Sequence, residues 1–128
     1  MNVWQTIAEV EAMLPGQAAP EEQEIDPRWQ AIVRIEDFIR EEPEAVWAFI
    51  LRWGCHEDED LRAAVATVLM EHLLEHHFAK FFPEVKTAVE KNFLFADTFA
   101  RCWKFGQSKQ EGNAKLFDGL QKKCHLQR

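Results

Sequence analysis

His72-Leu73-Leu74-Glu75-His76 is the string in this chain closest to a chemical motif. On a helix the imidazoles at i and i+4 share a face, as zinc binding requires, and Glu75 lies beside them as a candidate general base. The chemistry would be metal-dependent hydrolysis, with Glu71 and Glu84 as candidates for a third ligand. The competing reading is structural. His72 and His76 border a polar stripe near a helix C-terminus, where partial positive charge is favourable. A hydrolase also needs a substrate cleft, normally supplied by a far larger chain. The expectation is therefore no bound metal, no cofactor and no catalytic residue, with His72, Glu75 and His76 as the metal candidates to inspect.

Other constellations are thinner. Cys55-His56 and Cys124-His125 match no zinc-finger spacing, and the odd count of three cysteines, without a C-x-x-C pair, argues for reduced thiols rather than a disulfide framework. Cys102, set among apolar residues, reads as a small core hydrophobe. With only five scattered glycines, no phosphate-binding loop or nucleophile elbow can be built.

These residues sit in a chain of 128, with 47 % hydrophobic and 29 % charged residues, the length and balance of one globular domain. No apolar run reaches the ~20 residues of a membrane helix, and Met1–Gln5 does not open a signal peptide, so a soluble, cytoplasmic protein is expected. The net charge of −7 makes nucleic acid an unexpected partner. Charge is also uneven. Residues 1–60 hold 15 Asp and Glu against 4 Arg, whereas residues 61–128 hold 7 against 11 Lys and Arg. A gradient of this kind can steer a basic partner toward the N-terminal half. Lys104, Lys109, Lys115, Lys122 and Lys123 make the other end basic, and a solvated face explains them.

Apolar spacing predicts helix nearly throughout. The first helix is expected from Asn2, as N-cap, to Leu14, followed by an acidic loop over 15–26 and a helical stack over 27–124. Within the stack, Asp26-Pro27 starts a helix reaching about Glu41. Pro43 opens another, closed by Gly54, and a strongly apolar helix runs from about Glu59 to His77. In that helix Leu61, Val65, Leu69 and Leu73 form a row opposite a polar stripe of Thr67, Glu71 and Glu75. Pro83 should force a bend after Phe78. Shorter helices are then expected over Pro83–Lys91, Leu94–Phe105 and Asn113–Lys123. Six or seven antiparallel helices give an all-α domain. Trp47 and Trp53, six residues apart, point to different sides of one helix, so one of them, or Trp29, is expected as an exposed anchor.

The acidic turn, the Leu61-Arg62 pair and the Ala and Leu spacing of Asp58-Glu59-Asp60-Leu61-Arg62-Ala63-Ala64-Val65-Ala66-Thr67-Val68-Leu69 resemble the second helix of a HEAT-type repeat. Trp47–Trp53 would be the first helix of that pair, and Asp26–Ile39 is a fainter echo. The string Glu71–His77 is also similar to small bacterial all-helical proteins. The resemblance implies a superhelical helix stack that binds another macromolecule through an exposed surface, and implies no catalysis.

The expected function is accordingly a non-enzymatic binding module, such as a small bacterial inhibitor of the immunity type, engaging a basic protein through Glu36, Asp37, Glu41, Glu42, Glu44, Glu57, Asp58, Glu59 and Asp60, with Trp53 as an anchor. If these acids meet at adjacent helix starts, their fields add toward one surface. The alternatives are a metal-dependent enzyme using His72, Glu75 and His76, and a structural subunit that buries exposed aromatics in a homodimer.

Overall fold

The first helix, α1 (Val3–Glu11), begins where the sequence places it. Asn2 Oδ1 accepts the Gln5 N–H at 2.8 Å while Gln5 Oε1 accepts the Asn2 N–H at 3.0 Å, a reciprocal cap. The computed structural model describes residues 1–16 and 26–126. Most of the expected acidic loop therefore lies outside the described residues.

Asp26 caps α2 (Pro27–Glu36) by accepting the Arg28 N–H at 2.8 Å. That helix ends five residues short of the expected Glu41. Pro43 is the first residue of α3 (Pro43–Trp53), and it forces Glu42 off helical geometry, to φ −130° and ψ 54°. Residues 37–41 then form a run of turns in which Glu42 N–H reaches Phe38 C=O at 2.8 Å.

Gly54 ends α3 as expected, but not by adopting a left-handed conformation, since its φ is −70°. Its requirement is space: a Cβ there would lie 3.0 Å from the Phe95 ring. The Gly54 C=O in turn accepts the buried Thr98 hydroxyl, so α3 and the later helix α6 (Phe93–Ala100) touch backbone to side chain.

One nearly continuous helical rod follows. It comprises α4 (Glu59–Ala64), a π-helical turn over Val65–Met70, and α5 (Glu71–Lys91). Val65, Leu69, Met70, Leu73 and Leu74 have no exposed surface, and the π turn packs against α2, α3, α4, α5 and α6. The apolar helix is thus the centre of the core, as its composition predicts. Its polar stripe is different. Glu71 is only 5 % exposed, because the chain after α6 folds across it.

The rod breaks at His77 (φ −139°, ψ 46°), where the apolar helix is expected to end, but α5 resumes at once rather than at Pro83 and carries that proline inside it. The break is held by one side chain. Gln107 Oε1 accepts the Phe78 N–H at 2.9 Å, and its Nε2 donates to His76 C=O at 2.8 Å, satisfying one backbone group on each side of the kink.

Asn92 caps α6 through Leu94 N–H (2.9 Å) and Phe95 N–H (3.1 Å). This helix stops at Ala100 rather than Phe105, because Trp103 N–H leaves the helical ladder to donate to Glu71 Oε2 at 2.8 Å. Gly106, at φ +50° and too close to the Glu75 backbone to admit a Cβ, turns the chain into a short 3₁₀ segment and then α7 (Glu111–Leu126). Phe117, Leu120 and Cys124 bury α7 against α6, with the Phe99 and Phe117 ring centroids 4.9 Å apart. The architecture is all-α, and the described residues include no strand. The packing supplies no evidence of a repeated helix pair. No helix among the described residues is long and apolar enough to cross a membrane.

Candidate functional site

The acidic residues of the N-terminal half do not form one surface. Glu41, Glu42 and Glu44 stand at the start of α3, and Glu57–Asp60 stand beyond its end, so a helix of about 16 Å separates the groups. The expected merging of their fields fails for that reason.

The second group is largely committed to the fold. Asp58 Oδ1 caps α4 by accepting Leu61 N–H at 3.1 Å, and its Oδ2 lies 2.8 Å from Arg28 Nη1. Asp60 Oδ2 accepts from Arg28 Nη2 at 2.7 Å and from the Trp29 indole N–H at 3.2 Å. Burial pushes the Asp58 carboxyl upward, but the Leu61 N–H and the Arg28 guanidinium outweigh it and hold the group below the usual aspartate range. Glu59 pairs with Arg101 at 2.5 Å, and only Glu57 presents a side chain with no ion pair among the described residues. In the first group, Glu44 is paired with Lys80, whose ammonium holds the carboxyl below its usual range.

Trp53 is half-buried, its indole N–H donating to Glu11 Oε2 at 2.7 Å and tying α1 to α3. Trp47 is buried against Phe81 and Phe95, and Trp29 is half-buried. The exposed tryptophans are Trp4 and Trp103 instead, the latter 72 % exposed. No apolar pattern marks Trp103, because its exposure follows from the hydrogen bond that pulls its backbone toward Glu71.

What the structure does bring together is the histidine string and the turn after α2. Glu36, Asp37, Ile39 and Arg40 face His72, Glu75 and His76 across an open cleft of about 450 Å³. Within it, His72 Nδ1 lies 2.7 Å from Glu75 Oε1, and His76 Nε2 lies 3.7 Å from the same oxygen. The other His72 nitrogen is 3.6 Å from Glu71 Oε1, and the ring stacks on Phe105 with centroids 5.2 Å apart. His77 points elsewhere, with Nε2 3.0 Å from Ile39 C=O.

Three carboxylates and one guanidinium therefore edge the cleft, and Glu36 and Asp37 have no ion-pair partner among the described residues. The lining holds no Ser, Thr or Cys to act as a nucleophile. Both nitrogens of His72 already face carboxylates, and among the described residues no three His, Cys, Asp or Glu side chains are grouped to hold a metal ion. Glu36, Asp37 and Glu75 present carboxylate acceptors to the cleft, and Arg40 presents a donor. A chelator is expected to leave the melting temperature unchanged, since a structural zinc would couple to folding. Elemental analysis finding one zinc per chain, lost in His72→Ala/His76→Ala, would overturn that expectation.

Glu71 forms the buried floor behind His72. Burial raises its carboxyl above the usual glutamate range, against the lowering effect of the Trp103 N–H. A carboxyl raised by folding stabilises the protein fully below its unfolded range, and that contribution is lost as pH rises through the folded value. Glu71→Gln keeps an acceptor for Trp103 and is expected to stabilise the protein by about 1 kcal/mol at pH 8, with the gain vanishing below pH ~4. Thermal melts across that range are the check, and a loss of stability at pH 8 would show that the Glu71 charge is needed.

Comparison of the chain with protein-family models, curated proteins and solved structures finds no match.

Proposed function

We propose that this protein is a non-enzymatic helical binding module that receives a lysine or arginine side chain of a basic protein in the cleft between the α2–α3 turn and α5. The observation that carries this reading is the pair Glu36 and Asp37, open to the cleft and without an ion pair among the described residues, facing Glu75 across a volume of about 450 Å³. Glu41 and Glu42, exposed on the same turn, extend the negative field outward. The part the α4 start was expected to play passes to this turn, since Arg28 occupies Asp58 and Asp60. Inhibition of a cationic protein, as an immunity protein does, is a function of this kind.

The test uses a fluorescein-labelled lysine-rich peptide and stopped-flow mixing. Glu36→Gln/Asp37→Asn is expected to slow association about tenfold at low salt, and less at high salt, because steering charges act mainly on the encounter rate. Melting temperature should stay within a degree or two, both residues being exposed. An unchanged association rate in the double variant would remove the cleft from the binding surface.

A further inference from the structure

A second groove lies between the resumed half of α5 and α7, with the opposite charge. Phe82 and Leu120 form its floor, the 55 % exposed Leu116 and Gly119 its α7 wall, and Lys86, Lys115 and Lys123 its rim, around about 200 Å³. None of the three lysines has an ion pair among the described residues, although Lys80 and Lys104 elsewhere do.

Gly119 is informative because nothing among the described residues requires it. A Cβ there would meet none of their atoms within 4 Å, so packing tolerates a side chain, and a glycine inside a helix loses stability relative to alanine. What the missing side chain does is keep the groove open on its α7 side.

We propose that this groove docks an acidic amphipathic helix of a partner protein, with one large apolar side chain seated between Phe82, Leu116 and Leu120. Lys115 and Lys123, eight residues apart on α7 and so about 12 Å along its axis, receive carboxylates two turns apart on the incoming helix. Lys86 clamps the opposite flank from α5. The shape favours a helix over an anionic membrane, because a concave groove admits a protruding side chain but not a flat bilayer. The surface is independent of the acidic cleft, so either can fail alone.

The probe is a fluorescein-labelled synthetic helix of about four turns, a leucine stripe flanked by glutamates. Saturable binding is expected at low salt, weakened at least about tenfold by Lys86→Glu/Lys115→Glu/Lys123→Glu. Gly119→Leu fills the groove while favouring the helix, so it should abolish binding with melting temperature unchanged or raised. Glu36→Gln/Asp37→Asn should leave this binding intact. Absence of saturable binding, or binding that survives Gly119→Leu, overturns the proposal. So does lysine-dependent binding to phosphatidylserine-containing vesicles that exceeds binding to the peptide, which would assign the groove to a membrane surface.

Discussion

Arg28→Ala is expected to destabilise the protein by about 3 kcal/mol at pH 7, well beyond what an exposed arginine is worth. Arg28 is 2 % exposed, and its guanidinium reaches Asp58 at 2.8 Å, Asp60 at 2.7 Å, Asp26 at 3.5 Å and the Pro15 carbonyl at 3.2 Å. Removing it takes the guanidinium away from Asp58 and Asp60 and frees the start of α2 from the start of α4. Asp60 is half exposed and can rehydrate, which keeps the cost toward the lower end for a broken buried pair. Arg28→Lys keeps the charge but not the fork, so it should fall between.

The pH dependence gives the mechanism its check. Asp58 is held below its usual range, so its contribution is present above the unfolded aspartate value and is lost as pH falls through the folded one. Urea melts at pH 7 and pH 3 should therefore show the Arg28→Ala deficit shrinking with acid. A deficit that stays constant would mean the lost contribution is the packing of the side-chain stem rather than its charge.

Arg28 also shows why part of the site could not be read from sequence. Its partners are 30 and 32 residues away, and nothing in the run Glu57–Asp60 distinguishes a carboxylate that binds a partner from one that closes a fold. Local signals fared better. Asn2, Asp26, Asp58 and Asn92 cap helices through contacts within three residues, and three of these starts were legible as such. The end of α6 at Ala100 is decided by a distant group, since Trp103 leaves it for Glu71. The break at His77 lies where the apolar helix is expected to end, but the immediate resumption of α5 through Pro83, beside the Gln107 contacts, has no local signal.

The cleft divides the same way. The spacing of His72, Glu75 and His76 correctly puts them on one side of one helix, because that is a property of the helix alone. That Glu36, Asp37 and Arg40 face them depends on the early end of α2, after which residues 37–41 turn through bonds such as Phe38 N–H to Ile35 C=O at 3.0 Å. The basic groove was divided in sequence between Lys86 and the C-terminal lysines. Only the packing of α7 on α5 brings Lys86 beside Lys115 and Lys123.

Leu69→Ala is expected to cost ~2–5 kcal/mol, the range for truncating a fully buried leucine. Position within that range depends on whether the surroundings can close over the cavity. Leu69 has no exposed surface and lies in the π turn, the segment against which α2, α3, α4, α5 and α6 all pack. Closing the gap from one side would draw that helix away from its other neighbours, so relaxation is restricted and the upper half of the range is expected. At a few degrees per kcal/mol for a chain of this length, the melting temperature should fall by on the order of 10 °C or more. Val33→Ala provides the contrast: Val33 is 44 % exposed on α2 and its truncation should stay below about 1 kcal/mol. Equilibrium urea unfolding of both variants decides the matter. A Leu69→Ala deficit no larger than that of Val33→Ala would show that the π turn is not the centre of the core, and that the rod from Glu59 to His77 is held by its ends.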